Sequence, residues 1–67
     1  MFIKEFKGKG AWVRARRYLR RNGWKLTNVI EAPKFGRFGR IAYFADKFGG
    51  EAALVGNRRE CSAKEQL

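Results

Sequence analysis

The chain has 67 residues, sixteen Lys and Arg against six Asp and Glu, no histidine and one cysteine. That length makes a single domain with a small core, because a chain of about 60 residues buries only roughly 60% of its unfolded surface. A disulfide framework and a four-ligand zinc site are excluded, since Cys61 is alone and no histidine accompanies it.

Residues 2–7 alternate: Phe2, Lys4 and Phe6 fall on one side and Ile3, Glu5 and Lys7 on the other. That period predicts a short strand. Lys7-Gly8-Lys9-Gly10 breaks it and predicts a loop. Its glycines let backbone amides approach an anion, with Lys7 or Lys9 as counterion, although the full spacing of a nucleotide P-loop is missing.

Residues 11–22 predict an amphipathic helix. At about 100° per residue Ala11, Trp12, Ala15, Tyr18 and Leu19 share one arc. Arg14, Arg16, Arg17, Arg20 and Arg21 fill most of the rest, and Val13 sits among them as the one apolar residue out of place. Asn22-Gly23 supplies a stop, with glycine free to take a left-handed cap conformation. The arginines repel one another by a few tenths of a kcal/mol per pair, whereas each large apolar side chain buried gives roughly 1.5–3 kcal/mol. Burial of Trp12 and Leu19 therefore decides in favour of the helix.

Residues 24–31 predict a strand with Trp24, Leu26 and Ile30 on one face and Asn28 as an exception. Residues 32–39 hold the only proline and two glycines and predict a loop. A second strand is expected at 40–46, with Ile41, Tyr43 and Ala45 on one face and Ala42 and Phe44 on the other. The two strands pair as a hairpin with the Gly-rich loop at its tip. Residues 47–50 form a turn, and 51–55 carry too little period to choose between a last strand and a short helix. The remaining residues, 57–67, are polar without an apolar period and read as a flexible tail, with 1–56 as the folded domain. Cys61 is then an incidental tail thiol; a redox switch or an intermolecular disulfide is the sharper reading.

The expected architecture is α+β: one amphipathic helix packed on a small antiparallel β-sheet in the order β-α-β-β, with Trp24, Leu26, Ile30, Ile41 and Tyr43 on the inner face. An unpaired sheet edge and a small core leave room for a homodimer.

Charge placement bears on function. Residues 1–47 carry thirteen basic residues against three acids, and residues 48–67 carry three against three. Arginine stays protonated and its planar fork matches phosphate oxygens two at a time. The helix has no acid anywhere between Glu5 and Glu31, unlike the mixed charges of a face that serves only solubility. A triplet of basic residue, phenylalanine and glycine recurs three times, at Lys34-Phe35-Gly36, Arg37-Phe38-Gly39 and Lys47-Phe48-Gly49. Such a unit suits a phosphate beside a stacked base or a groove wedge.

These features predict a small DNA-binding protein, regulatory or architectural in role. Its contacts would come from Lys7, Lys9, Arg14, Arg16, Arg17, Arg20, Arg21, Lys34, Phe35, Arg37, Phe38 and Arg40. RNA binding is one alternative; a basic inhibitor or adaptor docking on an acidic protein is the other. Catalysis is not expected: Ser62 and Thr27 have no neighbouring base, and the scattered acids lack acid–base or metal-site spacing. No cofactor, metal, small-molecule substrate or membrane is expected as a partner. The N-terminus lacks a leader-like apolar run, and the longest apolar stretch, 41–45, is far too short for a bilayer. The expected location is the cytoplasm, with the nucleoid as the site of action in a bacterium.

Overall fold

A computed structural model describes residues 2–66; Met1 and Leu67, the latter the end of the expected tail, lie outside the described residues. The elements run β1 (Ile3–Lys7), α1 (Ala11–Arg21), β2 (Lys25–Glu31), a 3-10 turn (Pro33–Phe35), β3 (Arg40–Ala45), β4 (Glu51–Gly56) and β5 (Glu60–Gln66). The strands form one antiparallel sheet in the order β1-β5-β4-β3-β2. The protein is thus α+β, the described residues forming a single α-helix on a five-stranded sheet. Among the described residues, no helix is long and apolar enough to cross a membrane.

Helix α1 begins without a side-chain cap, behind Gly10 in the left-handed region at φ 74°. It ends as the sequence predicts. Gly23 takes φ 86°, its N–H donates to the Arg20 carbonyl, and the Trp24 N–H donates to the Leu19 carbonyl, the paired bonds of a Schellman cap. The helix lies across β5 with β1 and β4 on either side. Trp12 and Leu19 on the helix meet Ala42, Ala52, Cys61 and Ala63 on the sheet, around the fully buried Leu54. Small residues on the sheet let the helix approach closely enough for the large ones to fill the layer. Phe2 and Phe6 close the β1 side against Tyr18, and Phe2 also meets Trp24.

Three expectations are corrected. The segment read as a flexible polar tail contains β5, which pairs with both β1 and β4 and lies directly beneath the helix. Residues 51–55 belong to a strand, so the sheet has five strands rather than three or four. The inner face is also reassigned. Trp24 is in the core as expected, but it is joined there by Ala42 and Phe44, whereas Ile41 and Tyr43 turn to the opposite face. Ile30 goes with them because β2 carries a bulge between Leu26 and Asn28. The extra residue there reverses the alternation, so that Leu26 and Val29 share the helix side and Asn28 and Ile30 the other.

Cys61 is a buried free thiol in the core. Burial pushes its pKa from an ordinary 9.0 up to about 11, opposed by the nearby Arg14 guanidinium. The folded state therefore holds the thiol proton more tightly than the unfolded chain does. Stability linked to this group is intact below pH 9 and is lost as pH rises through about 11. Urea titrations at pH 8 and pH 10.5 should show the wild-type chain losing more stability than Cys61→Ala over that interval. Equal losses would show that the thiol does not titrate with unfolding.

Candidate functional site

The fold collects basic side chains that the sequence leaves scattered. At one end of the sheet three connections converge: the loop ahead of α1, the β2–β3 hairpin tip at 32–39 and the β4–β5 turn. Lys9, Arg37, Arg40, Arg58 and Arg59 gather there around Trp12, Val13, Arg16 and Phe38, lining a groove of about 800 Å³. A second stretch of about 560 Å³ continues between α1 and the outlying strands, with Arg16, Arg17 and Arg20 as one wall and Trp24, Lys25, Leu26 and Phe44 as the other. Val13 and Arg16 line both stretches, which join as one trough.

The trough exists because the sheet is wider than the helix. α1 covers β5, β1 and β4, so β2 has no partner above it and all seven of its residues are exposed. Val13, apolar among arginines, is explained by this geometry: it is 52% exposed and forms part of the trough floor.

Nine basic side chains line the trough, six in the first stretch and four in the second with Arg16 common to both, and its lining contains no carboxylate. Glu31 stands outside it, paired in register with Arg40. Among the described residues, no side-chain hydrogen bond or ion pair within the fold engages Arg16, Arg17, Arg20 or Arg21. Arg40 lies over the Trp12 ring at 5.1 Å and Arg58 over the Phe38 ring at 4.3 Å.

Asn57 holds this end together. Its Nδ2 donates to the Phe35 carbonyl at 2.7 Å, and its Oδ1 accepts from the Arg59 and Glu60 N–H groups at 2.9 and 3.0 Å. The β4–β5 turn is thereby fixed to the hairpin tip. The turn also needs Gly56, where φ is 141° and a Cβ would run into the Glu60 carbonyl.

The sequence-predicted residues divide. Lys9, Arg16, Arg17, Arg20, Arg37, Phe38 and Arg40 line the trough. Arg14 does not: its Nη2 donates to the Lys7 carbonyl at 2.6 Å and braces the loop ahead of the helix. Arg21 follows on the same flank of the helix, away from the trough. Lys7 sits opposite Glu60 on the far face of the sheet. In the Lys7–Gly10 loop the Gly8 N–H donates to the Arg59 carbonyl, and the Ala11 N–H that follows donates to the Gly8 carbonyl.

The three basic–Phe–Gly units also separate. Phe35 is half-buried and lines a concavity with Lys34, Val55, Gly56, Cys61 and Ser62, Phe38 is half exposed in the trough lining, and Phe48 is 84% exposed on the β3–β4 turn. Phe35→Ala should therefore lower the melting temperature, by roughly 4–8 °C for each kcal/mol lost. Phe38→Ala should leave it within about 2 °C and act on ligand affinity alone. A thermal melt followed by circular dichroism distinguishes them; matching shifts would place both rings in the fold.

Lys25, Arg58, Arg59 and Trp12 were not identified as site residues from the sequence. For the two arginines a signal exists: Cys61, Ser62, Ala63 and Lys64 alternate small-apolar with polar after the Gly56-Asn57 turn, but alanine and cysteine make that period faint.

Comparison with family models, curated proteins and solved structures finds no match to this chain.

Proposed function

We propose that this protein binds nucleic acid without catalysing a reaction on it, with duplex DNA as the preferred form, as a regulatory or architectural accessory. The carrying observation is the trough itself, where nine basic side chains from α1, the hairpin tip, β2, the start of β3 and the two other connections line one concavity free of carboxylates. A phosphate backbone neutralised along it releases condensed counterions, the main source of affinity for such a surface.

Two features favour a duplex over a single strand. Proteins that bind single strands rely on aromatic platforms for successive bases. Here Trp12, Trp24 and Phe44 are buried in the core, which leaves Phe38 and Phe48 as the well-exposed rings. The molecule is also 33 Å long, close to one turn of B-DNA at about 34 Å. A reducing compartment, the cytoplasm, suits a chain whose one thiol is free.

The test is fluorescence anisotropy with end-labelled duplex DNA, duplex RNA and single strands of each, over a range of salt. Affinity should fall steeply with salt, by a slope of about 0.9 for each phosphate neutralised, and the DNA duplex should bind most tightly. Absence of binding to every oligonucleotide in dilute buffer would reject the reading and favour an acidic protein partner.

A further inference from the structure

α1 lies on one face of the sheet only; on the other, Ile30 is exposed, Ile41, Tyr43 and Val55 are half-buried, and Ala53 is buried among its neighbours. Ile30, Ile41 and Val55 stand side by side in one row across β2, β3 and β4, and Tyr43 and Ala53 pair in the next. Phe35 and Val55 line one concavity at the end of this patch. Around it are Lys7 and Lys64 against Glu5, Glu51 and Glu60, so this face is close to neutral and slightly acidic in sum. The whole excess of +10 is therefore carried by the helix side and the loops.

This segregation selects the occupant. A polyanion or an acidic protein is drawn to the trough and gains nothing from a neutral apolar patch. A second copy of the chain is repelled everywhere except at this one face. An apolar centre rimmed by charges of both signs is the composition of an interaction surface. Pairing through the exposed β2 edge is opposed by the bulge at Thr27 and by Lys25 and Glu31 at its ends.

We propose that the protein forms a two-fold homodimer by packing these two sheet faces on each other. The apolar rows meet at the centre, and lysines of one copy face glutamates of the other at the rim. Five strands about 4.8 Å apart and about 20 Å long give a footprint near 480 Å² per copy. With side-chain relief the total approaches the roughly 1,200 Å² at the lower end of specific interfaces, which fits a micromolar dissociation constant. The dimer places its two troughs on opposite outer surfaces, so that one particle holds two duplex segments. That consequence rests on the proposed function; the dimer itself does not.

Sedimentation equilibrium of the full chain without nucleic acid, from about 1 to 200 µM in about 0.3 M salt to screen the net charge, tests the dimer. The mass should rise from 7.8 kDa to twice that. Ile41→Lys should weaken association at least about 50-fold while melting cooperatively, because Ile41 lies outside the core under α1. Should that variant fail to fold, Ile30→Lys on the edge strand replaces it. Val29→Lys, the same change on the trough side of β2, should leave the dimer intact. A monomer throughout for the wild-type chain, dimers of both far-face variants, or loss of the dimer in Val29→Lys would each overturn the proposal. Folded monomeric Ile41→Lys should still bind a short duplex, and a binding failure confined to that assay counts against the trough and not the dimer. Energy transfer between donor-labelled and acceptor-labelled duplexes should appear with the wild-type chain and vanish with Ile41→Lys; persistence in the variant would refute bridging by this face.

Discussion

Replacing Arg16, Arg37 and Arg58 together by alanine is expected to weaken duplex binding about 500-fold at about 0.1 M salt. One residue is taken from each side of the trough: α1, the hairpin tip and the β4–β5 turn. Each phosphate left without its arginine takes about 0.9 off the salt slope, equivalent to about eightfold at that ionic strength, so the triple change also flattens the slope by about 2.7. None of the three is in the buried core, so the thermal melt should be preserved. The matched control is Lys7→Ala with Lys64→Ala on the far face, expected to cost less than about threefold because those charges touch no phosphate. An unchanged slope in a folded triple variant would move the contact surface elsewhere. Equal losses in variant and control would reduce the effect to bulk charge.

Leu54→Ala should be the most damaging single change to the fold. Leu54 is fully buried, and its direct neighbours across the sheet on either side are Ala42 and Ala63. Alanines have no reach with which to refill the space, so the cavity persists. The expected loss is about 2–5 kcal/mol, against a total stability of about 3–10 kcal/mol for a chain of this size. Circular dichroism should show the melting temperature falling by about 10–25 °C. Val29→Ala, on β2 beyond the helix and 44% exposed, should cost under about 1 kcal/mol. A drop below about 5 °C for Leu54→Ala would mean that α1 does not pack where the structure puts it.

The proposed dimer and trough together give the chain a division of labour by face. The helix side carries the excess charge, and the far side is neutral enough to meet a second copy. Such separation in so short a chain follows from the period of the strands. Successive side chains point to opposite faces, so Glu5, Glu51 and Glu60 are all removed from the basic side by strand parity alone.

Local pattern made two elements legible. Trp12, Ala15 and Leu19 recur at helical spacing with Asn22-Gly23 behind them, and this fixed α1 and its cap. The 24–46 hairpin was readable because two apolar runs flank a segment with proline and glycines. Within that hairpin the inner face was misread. A bulge adds one residue and inverts every later position, and nothing in Thr27-Asn28 announces it. β5 was missed because its inward residues are Cys61 and Ala63, whose small apolar surface gives hardly any contrast with Ser62 and Lys64. Its burial comes from the helix that lies on it.

The amino-acid order alone determined that this chain is strongly cationic, that its charge is biased to the first two-thirds, and that one short amphipathic helix accompanies a hairpin. These are properties of composition and of short-range period, and both are written locally. Only the tertiary structure decided which cations stand together. It brought Arg58 and Arg59 from a presumed tail to the end of the trough, and set Arg14 and Lys7 aside. The physical reason is long-range strand pairing: β5 lies between β1 and β4, so residues about fifty positions apart in the chain become neighbours through backbone hydrogen bonds that no local pattern encodes.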